Sequence, residues 1–194
     1  MPETKYFNIA DRFVQWKMNH ALYEMVQGVE KNYNNISVIC IGTDRSTGDS
    51  FGPLTGHMLS GLSLLEFDLY GTLEHPVHAL TLPDVLSGID IENTLVIAVD
   101  AGVGDPDMIG NIGMSFGPIK PGSGLGKSLP DVGDISLTGI VAMGGLAPFI
   151  MLQNAPLGLV YSMAEKTFFA IQYALSSLQL RHRRQRRNRI FYPA

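Results

Sequence analysis

The stretch "NISVICIGTDRSTGDSFGPL" (35–54) decides the fold. Its first part, "NISVICIG" (35–42), is a nearly unbroken apolar run rich in β-branched side chains, the pattern of a strand buried on both faces. The residues from Thr43 to Ser50 are small, polar or charged, and they include Asp44 and Asp49. Beyond them, residues 51–65 resume apolar positions at helical spacing. Asp49 or Ser50 is the expected N-cap, with Pro53 in the first turn. Strand, polar loop and helix in direct succession are the repeating unit of an α/β fold. "TLVIAVDA" (94–101) reads as a second strand of the same buried kind.

On the N-terminal side, residues 11–31 predict a helix with apolar positions Phe13, Trp16, Leu22, Met25, Val26 and Val29. On the C-terminal side, "EFDLYG" (66–71) reads as a strand, and 81–90 as a short helix opened by Thr81 and Pro83. "IGNIGMSFG" (109–117) predicts a further strand, antiparallel or at an edge, and "ISLTGIVA" (135–142) another. Helices over 145–154 and 156–182 close the pattern. The alternation implies an α/β fold with a mostly parallel central sheet covered on both faces. Residues 1–180 are expected to form a single α/β domain, followed by a basic C-terminal tail at 181–194.

Composition narrows the function classes. With 194 residues and 45% apolar side chains, the chain can bury a sizeable core. The single cysteine, Cys40, excludes an internal disulfide and a cysteine-based metal cluster. The N-terminus "MPETKYFNIADRF" carries charges and no apolar segment of the kind a secretion signal needs, so an intracellular, reducing compartment is expected. The net charge of −4 conceals an asymmetry. "RHRRQRRNR" (181–189) holds six arginines and no acid, which leaves eight basic and eighteen acidic side chains over 1–180, a net of −10. An acidic body argues against a nucleic-acid-binding face. The tail reads as a solvated helix end favoured by the helix dipole, with nucleic acid or anionic lipid as its other candidate partners. Residues 157–180 are largely apolar, but Glu165, Lys166 and Gln172 interrupt them. A charge pair near mid-bilayer is costly, so a buried helix is expected and no membrane span.

In open α/β sheets, ligands gather beyond the carboxyl ends of the strands. Asp49 lies in the loop after the first buried strand, and Asp100 ends the second. Each alone has a structural reading, a helix cap for Asp49 and a turn former for Asp100. Converging on one cleft, two carboxylates can divide acid and base roles, because repulsion raises the pKa of one of them. The same pair can also hold a divalent metal if a third ligand, often histidine, completes it. His182 lies in the tail, so a histidine-completed site would draw on His20, His57, His75 or His78. His75 and His78 flank a proline, and His57 is expected to face away from the loop. "KPGSGLGKSLPDVGD" (120–134) ends a phosphate-binding pattern in "GKS" (126–128). Pro121 replaces its first glycine, however, and Pro130 and Gly133 follow too soon for the receiving helix. A glycine-rich loop beside the cleft is the better reading.

Five strings carry a family resemblance: "CIGTDRSTGDSFGPL" (40–54), "YGTLEHPVHA" (70–79), "VIAVDAGVG" (96–104), "KPGSGLGKSLPDVGDISLTGIV" (120–141) and "LQNAPLGLV" (152–160). In this order they resemble the YyaC-type sporulation proteins of endospore-forming bacteria, over roughly residues 35–165. That family is similar in turn to the germination protease that degrades small acid-soluble spore proteins, and more distantly to hydrogenase maturation endopeptidases. The resemblance implies a three-layer α/β/α sandwich and an aspartic-type peptidase, with Asp49 in "GDSFGP" and Asp100 in "AVDAG" as the catalytic pair. In the same loop as Asp49, Thr43, Asp44 and Ser46 are expected to line the site. The loop with Gly122, Ser123, Gly124 and Gly126 would hold substrate backbone or an oxyanion through its amides. The maturation endopeptidases add a histidine and recognise nickel; this chain has no evident equivalent, so no metal or other cofactor is expected. The expected partner is a protein or peptide substrate, spore proteins among them, in the cytoplasm of the mother cell or forespore, with a homo-oligomer open. The alternatives are a non-catalytic sporulation factor that binds a protein or peptide on the same fold, and, more weakly, a metal-dependent maturation-type endopeptidase.

Overall fold

A computed structural model describes residues 3–121, 129–145 and 147–191, with side chains of the last helix described as far as Arg181. Among these residues, six strands form one sheet: β1 (Lys5–Asn8), β2 (Asn35–Cys40), β3 (Asp68–Tyr70), β4 (Thr94–Gly104), β5 (Asn111–Phe116) and β6 (Ile135–Met143). Five α-helices accompany them: α1 (Val14–Gly28), α2 (Phe51–Leu59), α3 (Leu82–Ser87), α4 (Pro148–Gln153) and α5 (Leu157–Phe191). The strand order is β1-β5-β6-β4-β2-β3.

The sheet is mixed, which corrects the expectation of a mostly parallel one. β3, β2, β4 and β6 pair in parallel, but β5 runs antiparallel to both β6 and β1. The stretch 109–117 is thus antiparallel, as one of its two readings had it. It is an inner strand and not an edge, because the short strand β1 covers its outer side.

β2 and β4 are apolar throughout because both of their faces are covered. Val38 and Cys40 of β2, with Leu95, Ile97 and Val99 of β4, face the core built by α1, α2 and α5. Ile39, Ile41, Val96 and Ala98 alternate to the other face, where Leu82 of α3, Ile119 and Val132 meet them. Helix α1 buries Val14, Met18, Ala21, Leu22, Met25 and Val26, a stripe at helical spacing. Phe13 and Trp16, expected among its apolar positions, are exposed. Phe13 precedes the helix as its cap residue, and Trp16 lies off the buried stripe.

The second face changes character from β4 to β5. Under α3 it is apolar; on β6 and β5 it carries Ser136, Thr138 and Ser115. This polar strip of sheet is the floor of a cleft at the carboxyl ends of β2 and β4.

Candidate active site

Strand order reverses between β2 and β4. From β2 the chain proceeds through α2 to β3 on one side, and from β4 it proceeds to β5 and β6 on the other. Such a switch point opens a crevice at the carboxyl ends of the two strands. Asp49 follows β2 and Asp100 lies within β4, so the topology brings the two carboxylates to one place. Both line a cleft of about 330 Å³ together with Ser115, Ser136, Thr138 and Lys120. Pro148 and Leu152 of α4 line it as well.

The loop that presents Asp49 is held by its backbone. Gly42 N–H donates to the Val77 carbonyl at 2.8 Å, and Thr43 N–H donates to the Asp49 carbonyl at 3.2 Å. Gly42 has φ +140°, and a Cβ there would lie 2.0 Å from the Asp49 carbonyl oxygen. Only glycine lets the loop fold back this closely. Of the two expected caps, Ser50 makes no side-chain cap bond. Asp49 sits inside a single 3-10 turn (Gly48–Ser50), and Ser50, at the cap position of α2, donates its Oγ–H to the Thr47 carbonyl at 2.6 Å instead.

Asp100 is 7% exposed, at the point where the inward row Val96, Ala98, Asp100 leaves the apolar cover of α3. Burial pushes its pKa well above the ordinary carboxylate range, and the charge of Asp49 pushes the same way. The Ala101 N–H, which donates to Asp100 Oδ1 at 2.9 Å, opposes them. One carboxyl of the pair is therefore held toward its protonated form.

Of the other expected site residues, Thr43, Asp44 and Ser46 share the Asp49 loop but are outside the lining of the cleft. Thr43 Oγ1 donates to Asp44 Oδ1 at 3.4 Å, and Asp44 is exposed. Gly122, Ser123, Gly124 and Gly126 lie outside the described residues, as does "GKS" (126–128). The described chain leads up to them along the cleft wall at Pro118, Ile119 and Lys120. The histidines are elsewhere: His57 meets Glu74 at 3.2 Å on the surface, and His20 stacks against Trp16 and Tyr173. Among the described residues no group of three His, Cys, Asp or Glu side chains converges in a way that would hold a metal ion. Burial pushes the Cys40 thiol far up, as befits a strand thiol inside the core. Among the described residues, no helix is long and apolar enough to cross a membrane.

Sequence reasoning missed Ser115, Ser136, Thr138 and Lys120. Ser136 and Thr138 alternate in "ISLTGIVA", a polar row along one face of the strand, and that alternation was the available signal.

Comparison with known proteins places these features in a family. A protein from Bacillus subtilis (strain 168), described as "Uncharacterized protein YyaC", is 48% identical over 131 residues, covering 66% of this chain and 64% of the relative. The chain thus spans a little under two thirds of that protein's length. The family model described as "Protein of unknown function (DUF1256)" matches residues 6–169, which include both aspartates and every strand except the start of β1, and the chain belongs to that family.

Proposed function

We propose that this protein is a peptidase-like hydrolase of sporulating cells, acting on spore proteins in the mother cell or forespore cytoplasm. In this reading the fold is the three-layer α/β/α sandwich of the germination protease. The observation that carries it is the shared cleft of Asp49 and Asp100, with Asp100 driven toward protonation by burial and by its neighbour. Two carboxyls in unlike states are what acid–base hydrolysis of an amide requires.

The ionised Asp49 takes a proton from water, and the oxygen forms a bond to the substrate carbonyl carbon. The Asp100 carboxylic acid gives its proton to the carbonyl oxygen as charge develops there. When the tetrahedral intermediate collapses, that proton returns to Asp100, the C–N bond breaks, and the leaving nitrogen receives the proton held by Asp49. Each transfer is general acid–base catalysis, worth about 10²–10⁴-fold.

Incubation with a spore-protein extract, followed by mass spectrometry, tests the proposal. The wild type should generate new peptide termini, and Asp49→Asn and Asp100→Asn should each lower their rate of appearance by about a thousandfold with the fold intact. Cleavage retained in either variant would sink the two-aspartate mechanism. Absence of cleavage by the wild type, with retained capture of one peptide, would favour the non-catalytic sporulation factor.

A further inference from the structure

The cleft continues past the carboxyl pair, along β6. Register sets Asp100 beside Thr138, and one pleat back it sets Ala98, Ser136 and Ser115 side by side on β4, β6 and β5. Same-face residues on a strand lie about 6.6 Å apart. Ser136 therefore lies one strand across and one pleat back from Asp100, and Ser115 one strand farther. Ser136 is 5% exposed, Ser115 is half-buried, and their hydroxyl oxygens are 2.8 Å apart. Ser136 Oγ also lies 3.3 Å from the Ser115 carbonyl, to which it can donate.

Two hydroxyls own two protons and four lone pairs. Their mutual bond uses one of each, so three lone pairs and at most one proton face a guest. An aliphatic guest would strip water from those lone pairs and return no hydrogen bond, which is unfavourable in a buried site. Asp49 and Lys120 line the same cleft, so a guest ion of either sign meets a like charge as well as an unlike one. A primary amide supplies two N–H donors and one acceptor without charge.

We propose that the Ser115–Ser136 pair is the floor of a subsite that selects a neutral amide side chain, glutamine or asparagine, beside the bond to be cut. The inference rests on the peptidase reading for the cleavage step, but recognition can be measured without turnover.

Titration with N-acetyl-glutamine-N-methylamide and N-acetyl-norleucine-N-methylamide, monitored by backbone amide NMR shifts of residues 113–116 and 135–139, is the test. The amide probe should bind about tenfold more tightly than the aliphatic one, the net worth of about one hydrogen bond. Ser115→Ala with Ser136→Ala should bring the two affinities together. If that pair of changes prevents folding, Ser115→Ala alone should narrow the gap. Equal affinities in the wild type, no shifts at these strands, or a preference that survives the alanines would overturn the subsite. Discrimination without any cleavage of spore proteins would leave the subsite standing and remove the peptidase reading.

Discussion

Asp100 sits where burial and a neighbouring charge both oppose its ionisation, and burial is the larger of the two. Asp49→Asn removes only the charge, so the Asp100 pKa should fall partway toward the ordinary range of about 4 and stop above it. Carbon-13 titration of the Asp100 carboxyl reads this directly. The same raised pKa fixes the sign of a stability effect. Between the unfolded value and the folded one, the native state holds a proton that the unfolded chain has released. Stability therefore falls as pH rises through that window and levels off above it. In Asp100→Asn this fall should be missing, so urea melts at pH 4 and pH 8 should differ less than in the wild type. A larger difference in the variant would show that Asp100 is not the protonated member. Both aspartates were legible in the sequence because Asp49 lies in the loop between a buried strand and a helix and Asp100 ends an apolar run. Ser115 and Ser136 were not, because serine is unremarkable within a strand and only the pairing of β5 with β6 brings the two together.

Among the elements, the loop from β2 to α2 shows how backbone geometry positions a carboxylate. Its shape depends on Gly42, where any side chain would collide with the Asp49 carbonyl. Gly42→Ala should cost about 2 kcal/mol or more in chemical denaturation, since it combines a positive φ with a backbone clash. It should also lower cleavage at least as far as Asp49→Asn does, with the sheet preserved by circular dichroism. Wild-type activity in that variant would mean that the loop does not need this geometry. The strand–loop–helix order was readable here, because a buried strand and an amphipathic helix leave different periods. Strand β1 was not readable. Its four residues, "KYFN", have one long-range partner and little burial, and their strand character comes only from pairing with β5. The missed β1 and the undecided place of β5 have one physical origin. Strand direction and strand neighbours are set by chain connections, and a nine-residue apolar run carries no sign of either.

Across the full length of the chain, the long helix α5 joins the acidic body to the arginine-rich end. At 1.5 Å per residue its 35 residues span about 52 Å. Its buried positions run from Val160 through Met163, Ala164, Thr167, Ala170, Ile171, Ala174 and Leu175 to Leu178. Among the described residues, Gln179 Nε2 donates to the Glu66 carbonyl at 3.1 Å and Arg181 bonds Gln27 near the end of this run. Among the described residues, burial along α5 thus ends at Leu178, and the arginine-rich sequence beyond it brings charge. Truncation after Arg181 should leave the melting temperature and the urea midpoint close to those of the full chain, while the net charge becomes more negative by the five arginines removed. Truncation after Ala170 should prevent folding, because Ile171, Ala174, Leu175 and Leu178 all leave the core with it. A large loss of stability from the shorter cut, measured at two protein concentrations, would mean that residues 182–194 hold the fold after all. If that loss grew on dilution, those residues would be joining two copies of the chain.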